Sequence, residues 1–232
     1  MKFIEMFGLP GVGKSTLTNE LAKIAAEGGG SVLGFDSSIV LSQQVKYGVE
    51  NLGSIDFDLM FSHKRWFFYV LALYLGASCS RRMALKRIGW TFDVLKVFSQ
   101  CDRLGSGRGV LLRDEGFCCR GFSLALSMER WVFLREYFLR MPAPDCVVFL
   151  SASVACIRER VERRALKNGG VVSNPVGSYE YYLDFLMMVE EVLRERKIKI
   201  VKINAEDDLR LQVLSLDLFV RRDLLDSSFG LT

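Results

Sequence analysis

The chain has 232 residues, 25% of them charged and 50% hydrophobic, with 31 Lys+Arg against 27 Asp+Glu for a formal net charge of +4. That balance excludes a disordered tail, a collagen-like repeat and a bare coiled coil, and the length suits one core carrying a small lid better than two independent domains. The positive excess is mild and spread along the chain, so it argues only weakly for a polyanionic partner; nucleotide phosphates would satisfy it, and so would DNA.

In chain order, Lys2 to Phe7 is an apolar run of strand length that passes directly into a glycine-rich loop. The loop arrives too soon for the apolar core of a signal peptide, so cytoplasmic residence is expected. Lys14 to Glu27 then spaces Leu17, Leu21, Ile24 and Ala25 as a helix would, Gly28-Gly29-Gly30 supplies a stop, and Ser31 to Phe35 reads as a second strand. These pieces make one βαβ unit. From Ser37 to Leu104 only helical patterns occur, interrupted near Gly53-Ser54 and Gly76-Ala77-Ser78, which predicts a helical insertion over residues 37–105. The insertion is aromatic at Phe57, Phe61, Trp66, Phe67, Phe68 and Tyr69, then basic at Arg81, Arg82, Lys86 and Arg87. Three readings fit it: a buried helix followed by a solvated one, an acceptor-binding wall with a basic rim, or a helix for a membrane surface or a partner. Its most lipid-like part, Trp66 to Cys79, has about fourteen uncharged residues, short of the roughly eighteen that a membrane-spanning helix needs. The lone His63 has no sequence partner and is expected to be structural or exposed.

Three more strands follow at Gly109 to Arg113, Cys146 to Leu150 and Ile198 to Ile203, with helical patterns between them. Alternation of this kind predicts an α/β fold with a parallel five-stranded sheet, here in a single domain over residues 1–232. The cysteines at 79, 101, 118, 119, 146 and 156 form no C-x-x-C pair and lack zinc-site spacing, so reduced, buried thiols are expected.

The most specific stretch is Gly8-Leu9-Pro10-Gly11-Val12-Gly13-Lys14-Ser15-Thr16, which fits G-x-x-x-x-G-K-[ST] with a strand before it and a helix after it. A loop wrapped around phosphate oxygens must turn successive backbone N–H groups inward, and Gly8, Gly11 and Gly13 permit the backbone angles this requires. The following helix adds its positive end. Lys14 is expected on the β and γ phosphates, the Ser15 hydroxyl on Mg²⁺, and Thr16 near the α phosphate, with Val12 in the loop wall.

The third strand ends in Asp114-Glu115-Gly116, at the sheet edge where open α/β folds bind ligands. Asp114 is the candidate for holding Mg²⁺, and Glu115 for orienting water or touching an acceptor. Asp36, just after the second strand, is either a general base for an attacking hydroxyl or the N-cap of the next helix. Ser153 to Lys167 is a helical pattern with Arg158, Arg160, Arg163 and Arg164, leading to Gly169-Gly170. Spacings of three and four group Arg160 with Arg163 and Arg164, where Glu159 and Glu162 can neutralise part of the charge. The helix is either a solvated charged one or part of an arginine lid over residues 153–177 in which Arg160 and Arg164 balance phosphoryl charge. Arg113 and Arg120 flank the acidic pair and either bind an acceptor phosphate or pair with the acids.

On these residues the chain resembles P-loop kinases of the nucleoside and nucleotide kinase group, and is most similar in layout to thymidylate kinases and deoxynucleoside kinases. Gly8 to Thr16 matches that group's phosphate loop, Asp36 its acidic residue after the second strand, Arg158 to Arg164 its lid, and Val201 to Asp207 its last strand and acidic turn. The resemblance implies a three-layer P-loop NTPase fold and Mg²⁺-dependent phosphoryl transfer from ATP to a hydroxyl or phosphate on a nucleoside, a nucleotide or a modified base, free or within DNA. The chain departs from the group in carrying Asp114-Glu115-Gly116 where those enzymes place an acid followed by Arg, which leaves the acceptor open. Pairing with a second copy of the chain also stays open. The rival reading is an NTP-hydrolysing switch or motor subunit, with Glu115 polarising water and the aromatic insertion binding a partner.

Overall fold

The computed structural model describes residues 2–27, 32–35, 63–76, 81–103, 110–125, 132–167, 179–220 and 222. Strand β1 (Lys2–Phe7) is buried from Phe3 to its end, which requires cover on both faces and places it inside a parallel sheet. It leads through the glycine loop into α1 (Lys14–Glu27), and β2 (Val32–Phe35) follows. Next come α2 (Lys64–Gly76), α3 (Arg81–Arg103), β3 (Val110–Arg113), α4 (Phe117–Ala125) and α5 (Val132–Arg140). The chain continues with β4 (Cys146–Ser151), α6 (Val154–Lys167), α7 (Tyr179–Glu195), β5 (Lys199–Asn204) and α8 (Leu209–Phe219). Among the described residues the sheet has five strands, all parallel, in the order β2-β3-β1-β4-β5. The chain moves to one side of β1 and then to the other, so the direction of winding reverses at β1.

Alternation along β1 sends Phe3, Glu5 and Phe7 to one face. Phe3 meets the rings of Phe98 on α3 and Phe117 on α4, and Phe7 meets Phe185 on α7. The Tyr137 hydroxyl on α5 donates to the carbonyl of Phe117 at 2.7 Å, joining the helices of this layer. α1 packs beside β1 and β2 and against α8. The Asp208 side chain caps α8, accepting from the N–H groups of Arg210 at 2.9 Å and Leu211 at 3.3 Å.

The described part of the insertion is helical, and its aromatic residues divide. Trp66, Val70, Leu73 and Tyr74 recur at helical spacing and are buried, with the Trp66 ring 5.3 Å from Phe117 and 5.5 Å from Tyr137. Phe68 and Leu75, on the same helix, are exposed. α2 is therefore buried on one face only, and Trp66 belongs to the core rather than to an acceptor wall. Phe57 and Phe61 lie outside the described residues. His63 sits half-buried at the start of α2, edge-on to Phe98. No described helix is long and apolar enough to cross a membrane. Cys118, Cys119, Cys146 and Cys156 carry free thiols, and burial pushes the pKa of Cys119 and Cys146 up to about 12, which disfavours the thiolate.

Because the Trp66 ring is wedged between Phe117 and Tyr137, Trp66→Ala is expected to destabilise the fold by about 3–5 kcal/mol. Chemical denaturation checks this; a loss under about 1 kcal/mol would mean that α2 is not part of the core.

Candidate active site

The loop between β1 and α1 takes its shape from its glycines. Gly11 and Gly13 have φ of +84° and +112°, a region that residues with a Cβ rarely enter. A Cβ on Gly11 would also come within 2.6 Å of Val161 Cγ2, so α6 lies directly on the loop. The loop closes on itself through the Val12 N–H, which donates to the carbonyl of Leu9 at 3.2 Å. The Lys14 ammonium spans the loop, donating to the carbonyls of Gly8 at 2.8 Å and Leu9 at 3.2 Å. Thr16 is exposed at the start of α1, and Val12 is buried, offering backbone rather than side chain.

The pairing of β1 with β3 brings the acidic turn to this loop. Asp114 is buried at the end of β3, and its Oδ2 accepts from the Ser15 hydroxyl at 2.8 Å. Two hard oxygen donors side by side at the mouth of the glycine loop match the ligand chemistry of Mg²⁺. Glu115 is half-exposed beside them and accepts from Arg120 Nη2 at 3.1 Å. Arg113 is buried, and its Nε donates to the Glu115 carbonyl at 3.3 Å. Both flanking arginines thus engage Glu115. The Arg120 guanidinium also lies over the Trp90 ring, 5.1 Å from its centroid, and Lys86 Nζ stands 5.0 Å from the same centroid. The helix of the insertion thus meets Arg120 through the Trp90 ring.

The arginines of α6 separate. Arg160 bridges the carbonyl of Val12 at 2.6 Å and that of Ala205 at 2.7 Å, tying the glycine loop to the turn after β5. Arg164 faces the same cavity as the loop. Arg163 pairs instead with Glu159 on the exposed surface, and Arg158 is exposed. The grouping of Arg160 with both Arg163 and Arg164 expected from spacing therefore holds only for Arg160 and Arg164. α6 is seated on the loop, with Ile157 buried beneath it, so the described part of the expected lid is a packed helix. Residues 168–177 and Asp36 lie outside the described residues.

A cavity of about 810 Å³ collects these groups: the loop, Lys14, Ser15, Thr16, Asp114, Glu115, Arg160 and Arg164 all line it. That volume suits a nucleotide-sized ligand. Cys119, Arg120, Phe122 and Ser123 of α4 make one wall, and Gln212 of α8 another. Sequence patterns single out none of Cys119, Phe122, Ser123 and Gln212, because they are ordinary helix residues until the sheet places their helices at the strand ends.

One further buried group belongs to no motif or spacing pattern of the sequence. Glu5 interrupts an apolar run and is fully buried, with Oε1 accepting from the N–H groups of Cys118 at 2.7 Å and Cys119 at 3.1 Å. Burial outweighs those hydrogen bonds and pushes its carboxyl up to about 7. A charged residue in the interior of a central strand is the signal that marks it.

No model of a known protein family matches the chain, and no curated protein matches it.

The Glu5 shift has a definite sign. Its folded carboxyl binds a proton more tightly than the unfolded one, so its contribution to stability is full below about pH 4.5 and lost as pH rises through about 7. The shift corresponds to a difference of about 3 kcal/mol across that window. Glu5→Gln is expected to flatten this part of the stability curve, measured by denaturation between about pH 4.5 and 8. Parallel curves for the two proteins would contradict the assignment.

Proposed function

We propose that the chain is a P-loop phosphotransferase that moves the γ-phosphoryl group of ATP, with Mg²⁺, to a hydroxyl or phosphate on a nucleoside, a nucleotide or a modified base. The observation that carries this reading is the hydrogen bond between Ser15 and Asp114 at the mouth of a glycine loop bearing Lys14. Phosphate binding, metal binding and acceptor chemistry need these groups together, and one cavity holds them.

The chain's own residues supply positioning and charge. Loop N–H groups and the first turn of α1 cradle the phosphates, and Lys14 exchanges its two carbonyl partners for phosphate oxygens. Ser15 and Asp114 would hold Mg²⁺, which supplies positive charge next to the phosphates. Arg164 faces the same space, and Arg160 holds the loop through Val12 while presenting its charge there. In the transfer itself, an acceptor oxygen forms a bond to the γ phosphorus as the bond from that phosphorus to the bridging oxygen breaks. ADP leaves, and the proton of a hydroxyl acceptor passes to a carboxylate. Glu115, which lines the cavity, is the candidate for that role, with Asp36, just after the second strand in sequence, as the alternative general base. The fold expected for this activity is the three-layer P-loop arrangement, with α6 and the segment after it serving as the arginine lid.

Labelled ATP incubated with the protein and nucleosides, nucleoside monophosphates, single- and double-stranded DNA, or water alone tests the reading. Label on one acceptor is the expected result; equal phosphate release across the panel would support an NTP-hydrolysing switch instead. Lys14→Ala is expected to lower transfer by at least ~100-fold while leaving the melting temperature within ~2 °C. An unchanged rate would remove the loop from the chemistry. Asp114→Asn is expected to move the Mg²⁺ titration midpoint upward at least ~10-fold, and an unaltered titration would take Asp114 out of the metal site.

A further inference from the structure

Glu5 is a carboxylate in the middle of the central strand, with no exposed surface. An apolar side chain of similar volume would fill the same space without the cost of burying a charge, so packing alone gives no reason for it. Its geometry does. Cys118 and Cys119 lie in the first turn of α4, where backbone N–H groups have no partner inside the helix, and both donate to Glu5 Oε1. The carboxylate also sits at the positive end of that helix. A helix is ordinarily capped by the residue just before it; here that residue is Gly116, and the cap comes from a strand 113 residues away.

Gly116 is what admits it. A Cβ at that position would stand 2.5 Å from Glu5 Oε2 and would collide with the carboxyl carbon as well. Oε2 itself is buried with no hydrogen-bond partner. The strand interior and the turn are thus fitted to one another, a carboxylate on one side and a missing side chain on the other.

The two ends of this contact lead to opposite sides of the cavity. β1 runs on from Glu5 through Phe7 into the phosphate loop, while the turn carrying Asp114 and Glu115 runs through Gly116 into α4 with Arg120. Resting on the phosphoryl-transfer reading above, we propose that Glu5 is a positioning residue: by pinning the first turn of α4 to β1, it sets Asp114, Glu115 and Arg120 against the phosphate loop. It touches neither phosphate nor acceptor. Its effect falls on the alignment of the acceptor side, and the loop that binds ATP keeps its own shape.

Two substitutions attack the contact from its two ends. Glu5→Gln keeps the shape and removes the charge; Gly116→Ala leaves Glu5 intact and displaces its carboxyl. Each is expected to lower the transfer rate constant at saturating ATP by at least ~10-fold, with MgATP affinity within ~2-fold of wild type and full binding stoichiometry. Amide hydrogen exchange at Cys118 and Cys119 is expected to quicken at least ~10-fold in Glu5→Gln. The double variant should cost less than the sum of the two, because both act on one contact. Unchanged transfer in Glu5→Gln, or a loss of MgATP affinity as large as the loss of rate, would overturn the assignment. Unchanged exchange at the two amides would overturn the pinning. A wild-type chain that labels no acceptor would instead overturn the phosphoryl-transfer reading, and with it any catalytic consequence of Glu5.

Discussion

The parallel pairing of β1 with β3 is the constraint on which the site depends. Ser15 and Asp114 are 99 residues apart in sequence, and neither helix packing nor loop length alone would bring their oxygens to 2.8 Å. The register that sets Glu5 beside Arg113 ends both strands at the same edge of the sheet, so the glycine loop leaving β1 and the acidic turn leaving β3 emerge side by side. Ladder hydrogen bonds and buried apolar residues on both strands fix that register, and the hydrogen bond between the two side chains follows from it.

Charge is arranged around this point with few groups left in simple pairs. Glu115 receives Arg120 through its side chain and Arg113 through its carbonyl, and Arg120 also rests on Trp90. Arg160 is held by two backbone carbonyls rather than by a carboxylate, so its formal charge is not cancelled by an acid at those contacts. Lys14 is likewise held by carbonyls. Cations satisfied by neutral acceptors keep their field, and a field of this sign at a glycine loop attracts polyanions such as nucleotide phosphates.

The sheet was legible because its signals are local and redundant. Five apolar runs of strand length, a glycine stop after α1 and a phosphate-loop pattern between a strand and a helix agree on one architecture, and the strands fall within a residue or so of where the runs place them. Asp114 and Lys14 were readable for the same reason, since each sits at a strand end or a motif position. What escaped was whatever depends on which helix lands where. Which arginine Glu159 neutralises is one such case, since Arg163 shares the spacing of its neighbours but turns outward to that acid, and the aromatic stretch of α2 divides between core and surface according to its helical phase. Cys119, Phe122 and Gln212 are marked only by their place at the cavity. Glu5 was visible as an oddity, a charge in an apolar run, but its meaning lies in Gly116 and in two backbone N–H groups that no pattern along the chain connects to it.

In the proposed function, the loop carrying Lys14, with Ser15 and Asp114 beside it, is a binding site for a metal-bound nucleoside triphosphate. Equilibrium titration of ATP into the purified protein, with and without Mg²⁺, tests it most directly. Saturable binding at one site per chain, tighter when Mg²⁺ is present, is the expected result. Absence of saturable binding at millimolar ATP, or binding indifferent to Mg²⁺, would contradict it.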